Sequence, residues 1–267
     1  MDEVGLLFLQ AQACLSYTEE DLPVWLTRTG LRFHVHLPLD LPWEAGQSHV
    51  WEIVAGLRRK AAFLRPWAFV LHPPGAWSEV WPSASSSACS SACSRFARRS
   101  TPPQVCPPSE KGVAFGQCFG SLQDFVRLWG QGGDQEGGQA GGQAGELLLE
   151  NTRENDLVGL WPLIQSANLG ICLDLGHLLV HEQQTHRLPG IWPHVRMVHL
   201  SAPGQFGADG RPRDGHRSLA ALDHRGRSLL EEILGRIRPD CVLMLEVFEP
   251  EGFMESLNML RAVTGRV

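Results

Sequence analysis

Six apolar runs of the sequence each end on a histidine or a carboxylate. Alternate side chains of an extended strand share one face. On that basis His36 closes the face of RFHVHLP (32–38), and His72 closes AFVLHPP (68–74). Glu150 closes ELLLENT (146–152), and Asp174 closes GICLDLGH (170–177). His199 and Glu246 do the same for VRMVHLS (195–201) and CVLMLEV (241–247). With 11 His and 29 acidic residues among 267, roughly one position in seven would qualify. Six hits would then arise about once in 10⁵ trials, before allowing for the choice of runs. Imidazoles and carboxylates are donors for zinc, and carboxylate-rich sets also suit manganese. A carboxylate can bridge two ions roughly 3.5–4 Å apart. Asp214-x-His216, in a loop rich in Gly, Arg and Asp, could join His177 around a third ion.

Such residues need a frame that brings strand ends together. The runs above, with GLLFLQ (5–10), number seven, and most are almost continuously apolar, as expected of parallel strands buried on both faces. Between them, residues 49–64, 121–129, 158–167, 227–237 and 252–263 repeat apolar residues at three- and four-residue steps, the mark of amphipathic helices. Strand and helix in alternation imply right-handed βαβ units. The expected fold is a TIM-type (β/α)8 barrel in one domain over 1–267. In that fold, catalytic residues come from the C-terminal ends of several strands. Two segments read as flexible insertions, the Ser/Ala/Pro/Cys-rich 83–109 and the Gly/Gln-rich 130–145. VAFGQCF (113–119) reads as a helix start rather than an eighth strand.

Composition narrows the partners. The net charge is −6, and the only lysines are Lys60 and Lys111, which argues against a dedicated duplex-DNA binder. Seven scattered cysteines without a CxxC pair do not make a disulfide framework. No apolar stretch reaches the 18 residues of a membrane span, and the acidic start lacks a signal peptide's positive region. A cytoplasmic protein is expected.

Several motifs carry a closer resemblance. FVLHPPG (69–75), LLLENT (147–152), CLDLGH (172–177), MVHLSAP (197–203), DGHRSL (214–219) and LEVF (245–248) resemble the metal motifs of the apurinic endonuclease 2 superfamily, the xylose isomerase-like TIM barrels. The resemblance implies a three-zinc set. His36 and His72 would hold one ion, with Glu150 bridging to a second held by Asp174, His199 and Glu246. His177, Asp214 and His216 would hold the third. The family's first strand finds no counterpart before Val4, so the barrel is expected to lack that strand or to carry it truncated.

Within the superfamily, VHLPLDLPW, LLLENT, CLDLGHLL and VHLSAPG most resemble the cobamide-remodelling phosphodiesterases. That likeness implies hydrolysis of the nucleotide loop of a corrinoid such as adenosylcobalamin, leaving a cobinamide phosphate. Glu150, Asp174, His199 and Glu246 would be the catalytic core. Arg213 and Arg217, with Arg211, flank the Asp214-x-His216 pair and could fork onto phosphate. Trp43, Trp77 and Trp81 follow strand ends and could pack on a large flat ligand. His34 reads as a hydrogen-bonded interior residue. His49, His181, His186, His194 and His224 read as ordinary helix or loop residues, and Asp223 as a surface residue. Three other functions compete: a sugar isomerase or epimerase, an abasic-site endonuclease, and a non-catalytic corrinoid- or sugar-binding protein.

Overall fold

The structure, a computed structural model, describes residues 3–75, 77, 121–132, 145–205, 207–208 and 212–265. Seven strands form one parallel sheet in chain order: β1 (Glu3–Leu7), β2 (Arg32–His36), β3 (Ala68–Leu71), β4 (Glu146–Glu150), β5 (Gly170–Asp174), β6 (Val195–Leu200) and β7 (Val242–Leu245). The sheet curls into a nearly closed TIM-type barrel, one strand short among the described residues. The seven apolar runs match the seven strands, the first starting two residues earlier than its run.

Both faces of the central strands are covered, which is why they are apolar throughout. Val35, Phe69, Leu71, Leu147, Leu149, Ile171, Leu173, Val198 and Leu200 point outward into the layer of helices. Ala68, Val70, Leu148, Cys172 and Met197 fill the barrel interior. Small residues keep that interior from overfilling. A side chain at Gly5 would come within 2.7 Å of the His34 ring, which already occupies the space. His34 is the expected interior residue, 2% exposed, with Nδ1 2.7 Å from Glu3 Oε1. Burial holds its imidazole below the ordinary value, partly offset by Glu3.

The helices are α1 (Ala11–Leu15), α2 (Gln47–Ala61), α3 (Leu122–Gly132), α4 (Trp161–Ser166), α5 (Leu175–Val180), α6 (His224–Arg236) and α7 (Pro250–Thr264). Two corrections to the sequence reading follow. His177 is not in a loop but in the first turn of α5, because Asp174 ends β5 and its carboxylate accepts the His177 N–H as a helix cap. Residues 130–132 continue α3 rather than opening a loop. Asp223 lies on the surface, as expected, and is the N-cap of α6, accepting from Gly226 N at 2.8 Å. The expectations for 83–109, 113–119 and most of 130–145 lie outside the described residues, as do Trp81 and Arg211. No helix among the described residues is long and apolar enough to cross a membrane.

Candidate metal centre

Each of the six strands β2–β7 delivers one chemical side chain to the C-terminal mouth, within one residue of the strand's end. Parallel register brings them level. A local irregularity between β5 and β6 moves the pairing from Ile171–Val195 to Cys172–Met197, and this sets Asp174 opposite His199. Without that shift, Asp174 would face Val198, whose side chain points out of the barrel.

Glu150 is the hub. Its Oε2 lies 3.0 Å from His36 Nε2 and 3.0 Å from His72 Nε2. Its Oε1 lies 3.1 Å from His199 Nδ1, and that nitrogen is 3.5 Å from Glu246 Oε1. The two carboxylate oxygens therefore face two different donor groups. His36, Glu150 and His199 converge as one set that could hold an ion, and Glu150, Asp174, His199 and Glu246 converge as another, the ligand atoms of each set lying within 4.8 Å of one another. Glu150, Asp174 and His199 are 1% exposed.

Charge in this pocket is organised by burial and by neighbours. Burial alone would push the Glu150 carboxyl up, but the imidazoles of His199, His72 and His36 outweigh it and hold the group well below its usual range. His36 and His199 are raised against their own burial, the former by Glu150 and the latter by Cys172, Glu246 and Glu150. Asp174 is pushed up to about 7, because burial and the Glu150 and Glu246 charges exceed the pull of His177. Carboxylates and imidazoles packed this closely would share protons in the absence of a cation; a divalent ion is the natural replacement for those protons.

The outer trio is more dispersed. His177 Nδ1 bonds the Asn151 carbonyl at 2.7 Å, which leaves Nε2 as the basic nitrogen. Asp214 Oδ2 lies 3.5 Å from His181 Nε2. His216, with φ at 41°, packs at a tilt against Phe248 and sets Nδ1 3.4 Å from Glu246 Oε2. That Nδ1 and the Nε2 of His181 are buried without a hydrogen-bond partner among the described residues. Buried ring nitrogens beside carboxylates have the donor chemistry of a cation site.

Two residues that the sequence reading left aside hold the centre in shape. Asn151 accepts from Asp174 N at 2.8 Å and donates to the Asp174 carbonyl and to Gln183 Oε1. Gln183 in turn donates to the Thr152 carbonyl. The signal for Asn151 was its place directly after Glu150. Gln183 had none. Trp43 and Trp77 pack on each other, with centroids 4.9 Å apart, and both pack on Phe125. They belong to the wall between barrel and helices. Arg213 and Arg217 line a cleft beside α5, together with Arg153 and Arg225.

No family model matches the sequence, and no curated protein matches it. Solved structures do match. A D-tagatose 3-epimerase-like protein is 18% identical, with 99% of this chain and 89% of that one covered, at a TM-score of 0.58. A Thermus thermophilus protein whose crystal was soaked with ZnCl2 is 22% identical over 100% and 99% of the two chains, with a TM-score of 0.52. Endonuclease IV from the same organism is 18% identical over 99% of each chain, also at 0.52. At these identities the likeness establishes the fold, the barrel that an epimerase-like protein and endonuclease IV have in common.

Proposed function

We propose that the protein is a metal-dependent phosphodiesterase, and that its substrate is the nucleotide loop of a cobamide. One observation carries the hydrolytic reading: the Glu150 carboxylate turns one oxygen to His36 and His72 and the other to His199. A carboxylate placed in this way could bridge two ions, one on the His36 and His72 side and one on the His199 side. Zinc fits the mixed imidazole and carboxylate donors, and manganese fits their carboxylate half. Bound divalent ions would supply Lewis acidity and a water of lowered pKa. The chain's own residues set the geometry. His36 and His72 hold one side of Glu150; Asp174, His199 and Glu246 hold the other. Asn151 fixes the backbone at Asp174 and, through its carbonyl, the ring of His177.

Substrate size and charge support the finer reading. The cleft beside α5 measures about 1170 Å³ and is lined by Arg153, Arg213, Arg217 and Arg225. That exceeds the 300–1,000 Å³ typical of small-ligand pockets, so it suits a bulky substrate, and guanidinium groups suit its phosphate. The net charge of −6 disfavours duplex DNA as that substrate.

A sugar isomerase or epimerase is the second reading. Glu150, Asp174, His199 and Glu246 form a complete one-ion set by themselves, and the epimerase-like neighbour has the same fold. The deciding experiment loads the protein with zinc or manganese and offers adenosylcobalamin, a ketose panel and abasic duplex in parallel, with His199→Ala as control. Release of the nucleoside with phosphate left on the corrinoid, lost in the control, supports the cobamide reading. Ketose interconversion without any phosphodiester cleavage would replace it with the second.

A further inference from the structure

The outer end of the centre contains one imidazole more than the ligand set implied by the resemblance. His181 follows His177 by one helical turn: its N–H donates to the His177 carbonyl at 3.0 Å, closing the last turn of α5. Residues four apart lie on the same face of a helix, and the two rings are 5.8 Å apart between centroids. A histidine pair at this spacing is a recurrent way for one helix to present two nitrogens to one ion. His181 Nε2 is buried and has no hydrogen-bond partner among the described residues. It points at Asp214 Oδ2, 3.5 Å away, and Asp214 belongs to the loop on the other side of the cleft. Leaving a buried polar nitrogen unpaired costs roughly 1–3 kcal/mol, and an ion between His181 and Asp214 would relieve it. His216, meanwhile, faces Glu246 rather than Asp214.

We propose that His181 is a metal ligand, holding an outer ion together with His177 and Asp214. This inference rests on the metal-binding part of the reading above and goes beyond it by assigning a residue. Two nitrogens and a carboxylate suit zinc and leave a fourth position open. His177 is prepared for the role, since its Nδ1 is committed to the Asn151 carbonyl and its Nε2 is left to donate. The outer ion would then sit against the arginine-lined cleft, where a substrate phosphate would meet it.

The test counts ions rather than turnover. Wild type, His181→Ala, His181→Gln and the surface control His224→Ala are stripped, reloaded with zinc and analysed for bound metal and for affinity by competition with a chromophoric chelator. The same proteins are titrated with cobalt(II), whose visible absorption reports the third equivalent's coordination. Three zinc ions in wild type and in His224→Ala, with the weakest weakened more than about 100-fold and its cobalt band lost in both His181 variants, is the expected result. Three ions with unchanged affinity and spectrum in either His181 variant would overturn the assignment. Two ions in wild type would overturn it as well, while leaving the Glu150 bridge intact. No bound ion in wild type would remove both this inference and the hydrolytic reading. If His181→Ala fails to fold, the Gln variant, similar in size, carries the comparison, and the cobalt spectrum of wild type alone still reports whether a third, low-symmetry position exists.

Discussion

Glu150 is a carboxylate that burial should neutralise and that three imidazoles keep ionised. Asp174, a strand away, has its nearest histidine only at the edge of contact, 3.8 Å from His177 Nδ1, and burial prevails there, pushing it up to about 7. The pair therefore behaves differently before any metal arrives: Glu150 is held toward its anionic form, and Asp174 keeps its proton until the pH approaches about 7. In metal-free protein, Asp174 binds a proton more tightly folded than unfolded between 3.8 and about 7, so its contribution to stability falls as pH rises through that window. Asp174→Asn removes the titration. The metal-free variant should match or trail wild type at pH 5 and melt several degrees higher at pH 8, while binding metal more weakly. Equal Tm differences at the two pH values would contradict the assignment of the raised group. Metal-free Glu150→Gln, by contrast, should be less stable than wild type near neutral pH, because the lowered carboxyl contributes stability as an anion. It leaves His36, His72 and His199 without their shared anion, and should lose bound metal by more than the roughly 10- to 100-fold typical of an outer partner, as equilibrium dialysis would show.

At the scale of elements, the loop after β4 and the start of α6 make a useful contrast, since each turns on one polar side chain. Asn151 is fully buried and ties the end of β4 to Asp174 and Gln183 by three hydrogen bonds. Asn151→Ala should cost about 1–3 kcal/mol of stability through unpaired buried groups, and should also lower metal affinity, because Asp174 loses its backbone anchor. Asp223→Ala removes an exposed cap and should cost about 1 kcal/mol with no change in bound metal. Chemical denaturation and metal analysis of the two variants separate a residue that shapes the centre from one that only starts a helix. The same elements show what was legible beforehand. The strands could be read because burial on both faces leaves long apolar runs, and their ends could be read because Pro38, Pro73 and Asn151 stop them. Helix α5 could not, since Leu175 to Val180 continues the apolar run of β5 and the break is made by the Asp174 cap alone. Helix α1 is five residues long, too short for a period to register. His181 was passed over because its value depends on Asp214, 33 positions away in sequence and adjacent only in space.

At the scale of the molecule, the barrel has a seam. Among the described residues, the order β1 to β7 gives every inner strand two partners and leaves β1 and β7 with one each. Burial follows: β2 to β6 are buried almost throughout, whereas β1 and β7 are partly exposed along their length. Met244 of β7 reaches toward Gly5 of β1, its methyl 3.4 Å from where a β-carbon would stand, a flexible side chain filling an irregular gap. Edge strands open at lower free energy than central ones, so amides of β1 and β7 should exchange hydrogen faster than those of β3 to β5. The seam also touches the chemistry, because Glu246 follows β7 directly and donates its N–H to Leu200 of β6. Its side chain is 17% exposed, against 2% or less for Glu150 and His199. A metal held jointly by Glu246 and by the interior residues would tie the loose edge to the rigid centre. Zinc loading should therefore slow exchange in β7 more than in β3, and more than in β1, which contributes no ligand. Hydrogen exchange read by mass spectrometry with and without zinc tests this. Equal protection of β1 and β7 on loading would mean that the metal stabilises the barrel as a whole and that Glu246 is not its anchor at the seam.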